Sequence, residues 1–84
     1  MGETRLYLVT FHIREEVPFF NAALALGRVR PPGLQLRTWL ISADGAASYA
    51  VWEAGSLALL MGVLDVEFGE SADYAVTEVN LLYG

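Results

Sequence analysis

The chain has 84 residues, enough for one small domain spanning 1–84 and too few for two. It contains no cysteine and no lysine, which excludes disulfides, zinc–thiolate sites and lysine Schiff-base chemistry. Ten acidic residues and five arginines give a net charge of −5. Because a negative protein repels phosphate backbones, no nucleic-acid partner is predicted.

The apolar content is high for so short a chain. Hydrophobic residues make up 55% of it, and the mean hydropathy is +0.41. A small domain has too large a surface to bury all of these side chains, so we expect a face that packs on a partner or stays exposed. The longest apolar run, 57–64, is far shorter than the ~20 residues of a membrane span. No membrane contact and no signal peptide are predicted, and a cytoplasmic location follows.

The first predicted element is a strand over 5–13, "RLYLVTFHI", because β-branched and aromatic residues dominate it and no breaker interrupts it. Side chains alternate between the two faces of a strand. One face holds Tyr7, Val9, Phe11 and Ile13, and the other holds Leu6, Leu8, Thr10 and His12.

A helix is predicted next, over 14–27. Pro18 suits a first helical turn, and the acidic residues before it favour the positive N-terminal end. The expected apolar stripe consists of Phe20, Ala23, Leu24 and Gly27. Gly27 and then "RPPG" (30–33) are predicted to end the helix.

Two strands, 34–42 and 47–54, flank "ADGA" and predict a hairpin. Asp44-Gly45 is a strong hairpin signal, because both residues tolerate positive φ. A two-residue turn at this position sets the register. The predicted pairs are Trp39 with Ala50, Arg37 with Trp52, Leu40 with Tyr49, and Leu36 with Glu53.

Ser56 is a candidate N-cap for an apolar helix over 57–65, followed by a loop over 66–71. The last strand is predicted over 72–83. Its two rows are Ala75, Thr77, Val79, Leu81 and Tyr83, and Tyr74, Val76, Glu78, Asn80 and Leu82.

The predicted order β-α-β-β-α-β defines an α+β ferredoxin-like fold. Right-handed crossovers place both helices on one side of a four-stranded antiparallel sheet and leave the other side open. Polar residues indicate the open rows: Thr10 and His12 in the first strand, Glu78 and Asn80 in the last. Because Leu6, Leu8, Tyr74, Val76 and Leu82 share those rows, we predict that the open side packs on a second copy as a homodimer.

Three segments carry a family resemblance: "LYLVTF" (6–11), "TWLISADG" (38–45) and "YAVWE" (49–53). The chain resembles a family of short bacterial proteins of unknown function within the dimeric α+β-barrel superfamily. The resemblance implies pairing sheet to sheet around a cavity that holds apolar or aromatic molecules. That superfamily includes small monooxygenases, isomerases and dehydratases. Trp39 and Glu53 match the family pattern, whereas Leu40 stands where the family has a histidine.

His12 is the only histidine, and histidine changes charge near neutral pH. In one interpretation it lines a cavity and transfers a proton, with Glu78 or Asn80 orienting it. In the other interpretation His12 ends a strand at the edge of the sheet, where it is exposed to water or hydrogen-bonded across an interface. The candidate catalytic residues are therefore His12 and Glu78.

Aromatic residues suggest a pocket. Trp39, Trp52, Tyr49 and Tyr74 could line it, although packing in the core or at an interface is the more usual role of such residues. Glu53 would act as an acid or base if it were buried. The candidate ligand-binding residues are Thr10, Trp39, Tyr49, Trp52, Glu53 and Asn80. No metal or cofactor is predicted, because one histidine without cysteine makes a poor ligand set.

Two functions remain open from the sequence. One is a homodimeric module that binds a small apolar or aromatic molecule. The other is a cofactor-independent enzyme, similar to a monooxygenase or isomerase, that uses His12 in the sheet-lined cavity.

Overall fold

A computed structural model describes residues 4–28 and 31–83, and its elements follow the predicted order. The bounds are β1 (Arg5–Ile13), α1 (Glu16–Arg28), β2 (Leu34–Ile41), β3 (Ala47–Ala54), α2 (Leu57–Phe68) and β4 (Ala72–Val79). The strands form one antiparallel sheet in the order β2-β3-β1-β4. The α+β ferredoxin-like fold, βαββαβ, is confirmed.

The core lies between the sheet and the two helices. Phe11 is at its centre, with ring centroids 5.2 Å from Phe19 of α1 and 4.9 Å from Phe68 of α2. Both helices therefore cover the same side of the sheet. The buried apolar residues are Tyr7, Val9, Phe11, Phe19, Leu26, Leu34, Ala50, Trp52, Ala54, Leu60, Leu64, Phe68 and Ala72.

The hairpin register is confirmed near the turn and shifts further along. Trp39 faces Ala50 and Leu40 faces Tyr49, as predicted. A bulge at Arg37 then moves β2 by one residue. The predicted pairs Arg37–Trp52 and Leu36–Glu53 are wrong: Leu36 faces Trp52 and Gln35 faces Glu53. An extra residue in one strand displaces every pair beyond it, and composition does not signal it.

The turn uses glycine and aspartate in different ways. Gly45 has a φ of +77° and is the only positive-φ residue of the turn, so Asp44 does not need the left-handed conformation. Asp44 Oδ1 instead accepts hydrogen bonds from Ser42 Oγ (2.7 Å) and Ala46 N (3.0 Å). These hydrogen bonds hold the pKa of Asp44 below its ordinary value of 3.8.

Both helices differ from the prediction. In α1, Phe19 and Leu26 are the buried residues, whereas Phe20 and Leu24 of the predicted stripe are exposed. Helix α2 begins after Ser56, whose side chain accepts from Leu59 N (3.1 Å) as predicted, but it extends to Phe68. Its buried stripe has a spacing of four residues, Leu60, Leu64 and Phe68, and the helix continues into the predicted loop to complete it.

The predicted facing of β4 is wrong. Tyr74 and Val76 pack against the core on the helix side, and Glu78 belongs to the same row. The open side of β4 instead carries Asp73, Ala75, Thr77 and Val79. Glu78 is exposed because it lies near the end of the strand, opposite Tyr7. Strand β4 ends at Val79, so Asn80 and Leu82 follow the sheet and are not part of it.

Candidate functional site

The candidate site is the open face, defined as the sheet surface turned away from both helices. Strand pairing arranges its residues in four cross-strand rows, each of which runs perpendicular to the strands and joins directly paired residues. From β2 or β3 to β4 the rows are Ala47–His12–Asp73, Leu40–Tyr49–Thr10–Ala75, Thr38–Val51–Leu8–Thr77 and Gln35–Glu53–Leu6–Val79.

The middle of the open face is apolar. Leu8 and Val51 are direct partners on the two central strands, and Leu6 is two residues further along β1. All three side chains are half-buried although they lie on the side of the sheet turned away from α1 and α2. Leu40 (60% exposed) and Tyr49 (38%) extend this apolar surface toward the β2 edge.

His12 lies at one end of the open face. It is exposed and sits opposite Ala47 on β3 and Asp73 on β4. The Asp73 carboxylate is 3.4 Å from Nε of Arg14, so an ion pair holds it beside the histidine strand. Thr10 and Tyr49 form the adjacent row. The sequence analysis missed Asp73, because the face of β4 that carries it was predicted to lie on the helix side.

Glu53 lies at the opposite end and is already paired. It accepts a hydrogen bond from Thr4 Oγ1 (2.8 Å) and lies 3.5 Å from Nη1 of Arg37. The bulge in β2 places Arg37 near this carboxylate. An open depression of about 270 Å³ adjoins it, lined also by Gly33 and Gln35. This end can hold a small polar group only in competition with these contacts.

The predicted pair of His12 and Glu78 is not brought together. Glu78 is opposite Tyr7, five residues from His12 along β1, and on the helix side of the sheet. Five residues of strand span about 17 Å. Glu78 forms an ion pair with Arg5 at 3.3 Å. It lines, with Glu53 and Asn80, an open depression of about 550 Å³ at the far end of the sheet.

Both tryptophans lie on the helix side. Trp52 is buried, and its ring centroid is 5.0 Å from that of Trp39. Trp39 Nε1 donates to Ser48 Oγ (2.7 Å), and that hydroxyl donates to the Leu40 carbonyl (2.7 Å). Trp39 also lines an apolar cleft of about 200 Å³ between α1 and β2. We call this the Trp39 cleft; its lining is Phe19, Phe20, Ala23, Trp39, Leu40, Ile41 and Ser48.

The eight predicted site residues therefore occupy three places. Thr10, His12 and Tyr49 share one end of the open face. Glu53, Glu78 and Asn80 lie around the other end of the sheet, and Trp39 and Trp52 lie behind it.

Within residues 4–28 and 31–83, no group of three or more potential ligating side chains could hold a metal ion. In the same part of the chain, no helix has the length and apolar character needed to cross a membrane.

No protein-family model matches the chain, and no curated protein matches it either. The chain is similar in structure to a dimeric ferredoxin-like protein from an uncultured marine organism, known from a crystal structure. The TM-score is 0.59 at 11% sequence identity, over 96% of this chain and 97% of that one. At this identity the similarity supports the ferredoxin-like fold alone. The resemblance to the family of short bacterial proteins stays a prediction.

Proposed function

We propose that this protein is a homodimer that pairs through the open face and binds a small apolar or aromatic molecule between its two sheets. The observation that carries the proposal is the apolar middle of the open face, where Leu6, Leu8 and Val51 lie on the side of the sheet turned away from both helices. The similar marine protein is described as dimeric, which supports the same assembly for this chain. We take residues 1–84 as one domain that acts in the cytoplasm.

The physical reason for pairing is that apolar surface exposed to water is unfavourable in free energy. Burial of apolar area stabilises an assembly by roughly 25 cal/mol per Å². Two copies related by a two-fold axis would place the Leu8 and Val51 side chains of each sheet against those of the other. A standard interface buries roughly 800 Å² on each partner. A four-stranded sheet face with eight-residue strands can supply an area of that order.

A ligand between the sheets would touch the row that contains Thr10 and Tyr49. Tyr49 offers an aromatic ring, and Thr10 offers a hydroxyl for one polar contact. His12, in the next row, would lie at the mouth of such a cavity. Trp52 is 2% exposed, so its part in a site is to support the sheet from behind.

Light scattering across micromolar concentrations tests the assembly. A chain of 9.2 kDa should give a particle of twice that mass. A particle that remains at the mass of one chain would rule out the homodimer.

NMR titration with aromatic acids and quinones tests the ligand. We expect shifts of the His12 ring, Thr10 and Tyr49 signals, with Val66 on α2 as an unaffected reference. If every compound leaves these three residues unchanged, the inter-sheet ligand site is wrong.

One observation favours the enzyme as a second candidate. His12 and Asp73 are direct cross-strand partners on the open face, so the carboxylate, now 3.4 Å from Nε of Arg14, could turn to orient the histidine as a base. In this alternative, Asp73 takes the orienting role expected of Glu78. Turnover of a bound compound that is lost in His12→Gln, with binding retained, would distinguish the enzyme from the binding module.

A further inference from the structure

Two apolar features at opposite corners of the molecule have no covering partner among the described residues. The first is the segment after β4, where the exposed fractions are 67% for Leu81, 87% for Leu82 and 89% for Tyr83. The second is the Trp39 cleft, where Phe20, Leu40 and Ile41 are 38%, 60% and 49% exposed. Exposed apolar surface of this kind is typical of an interaction site.

The two features cannot meet within one chain. Val79 is opposite Leu6, whereas Ile41 is aligned through Ser48 with Phe11. The corners are thus separated by about 17 Å along the strands and about 14 Å across three strand spacings. Residues 80–83 span at most about 14 Å even when fully extended. The segment also begins at the end of β4 that is further from the cleft.

A second copy removes this obstacle. The segment and the cleft lie at diagonally opposite corners of the sheet. A two-fold axis between two facing sheets, parallel to the other diagonal, exchanges these corners. Leu40 belongs both to the open face and to the lining of the cleft, so the cleft is continuous with the proposed interface around the β2 edge.

We propose that the segment Leu81–Tyr83 of each copy packs into the Trp39 cleft of its partner. This inference rests on the proposed homodimer and assigns it two reciprocal contacts outside the sheet-to-sheet interface. The cleft is suited to apolar side chains, because its polar groups, Trp39 Nε1 and Ser48 Oγ, already bond each other.

Cysteine cross-linking tests the contact cleanly, because the natural chain has no cysteine. The variant Ile41→Cys/Leu82→Cys places one thiol in the cleft and one in the segment. On oxidation it should form covalent dimers linked 41 to 82, because the two thiols of one chain are too far apart. The matched control is Val66→Cys/Leu82→Cys, since Val66 is 83% exposed on α2 and outside the cleft. Each single-cysteine variant controls for bonds between identical positions.

Removal of the segment provides a second readout. A chain ending at Asn80 should raise the dimer dissociation constant by about tenfold or more, since several large apolar side chains lose their burial. The variant Val66→Ser should leave that constant unchanged. The tryptophan emission should also shift to the red when the segment is removed and stay unchanged in Val66→Ser, because Trp39 lines the cleft whereas Trp52 is buried.

The outcomes separate the two proposals. A natural chain that remains monomeric would overturn the homodimer and this inference together. A dimeric natural chain whose Ile41→Cys/Leu82→Cys variant cross-links no faster than its control, or cross-links within one chain, would overturn this inference alone. Unchanged dimer affinity after removal of the segment would do the same.

Discussion

Ser48 is a polar residue of β3 inside the core, and its hydroxyl bonds both a side chain and a backbone carbonyl of β2. It is 1% exposed, accepts from Trp39 Nε1 and donates to the Leu40 carbonyl. Every buried side-chain nitrogen or oxygen of the described residues has a hydrogen-bond partner. The Ser48 hydroxyl is the partner of the Trp39 indole N–H. A buried donor that loses its acceptor is costly, which makes this hydroxyl important for the position of Trp39.

We predict that Ser48→Ala lowers the free energy of unfolding by about 1–3 kcal/mol, because the Trp39 indole N–H is left without an acceptor. Urea unfolding followed by circular dichroism measures this change. Combining Ser48→Ala with Trp39→Phe should cost less than the sum of the two single changes. Strict additivity of the three values would show that the hydrogen bond contributes nothing.

Tyr74 is the residue whose ionisation the fold changes most clearly. Partial burial, with the hydrogen bond from its hydroxyl to Asp65 and the charge of that carboxylate, raises the pKa of Tyr74 from 10.0 to about 12. The folded state therefore holds the phenol proton at a pH at which the unfolded chain has released it. The resulting stabilisation is complete below pH 10 and is lost as the pH rises toward 12.

We expect the free energy of unfolding of the natural chain to fall between pH 10 and pH 12. The variant Tyr74→Phe, which has no phenol proton to lose, should show a smaller decline over the same interval. Denaturation curves at several alkaline pH values measure both. Equal slopes for the two proteins would contradict the assignment to Tyr74.

At the scale of elements, local signals succeeded where one residue type determines the conformation. The ends of β1 and β3 and the cap at Ser56 were predicted correctly, because breakers and a capping hydroxyl act locally. The facing of α1 was wrong because Phe19 and Phe20 are adjacent and equally apolar. Only packing against Phe11 and Phe68, which are distant in sequence, places Phe19 inside.

The prediction of the site was wrong for the same reason, because the sequence did not show which face of β4 is open. Both of its rows contain apolar residues, and Glu78 suggested the wrong one, since a strand-end carboxylate can be exposed from either face. Once the row was misassigned, Asp73 was missed and Glu78 was wrongly placed beside His12. The bulge at Arg37 could not be predicted, because nothing in the composition of β2 marks the extra residue.

The connection from α1 to β2 depends on Gly33. Its φ is +85°, and a Cβ atom there would lie 2.8 Å from Cδ2 of Leu59 on α2. We predict that Gly33→Ala destabilises the protein by about 1–3 kcal/mol.

The matched control is Gly62→Ala in the middle of α2, where nothing lies within 4 Å of the added atom. That change should stabilise the helix by about 0.5–1 kcal/mol. Thermal unfolding in which the two variants behave alike would contradict the prediction.

At the scale of the whole molecule, the exposed apolar surface is divided between the open face and the helix side. A charge introduced into an interface costs far more than one added to a free surface. Leu8 and Val66 therefore provide a matched pair: Leu8 is in the middle of the open face, and Val66 is on the outer side of α2.

We predict that Leu8→Arg converts the proposed dimer to a monomer at micromolar concentration, whereas Val66→Arg leaves the mass unchanged. Light scattering measures the mass, and the near-ultraviolet circular dichroism of the buried aromatic core verifies that both variants are folded. A dimeric Leu8→Arg protein would show that the two copies meet through another surface.

The bulge at Arg37 also determines how far such an assembly can grow. Strand β2 lies at the margin of the sheet, where unpaired backbone groups could recruit further strands from other molecules. The bulge breaks the regular spacing of those groups in the middle of the strand, and Arg37 adds a positive charge there. Lateral addition of sheets into ribbons is therefore disfavoured at this margin, which favours a closed pair over a fibre.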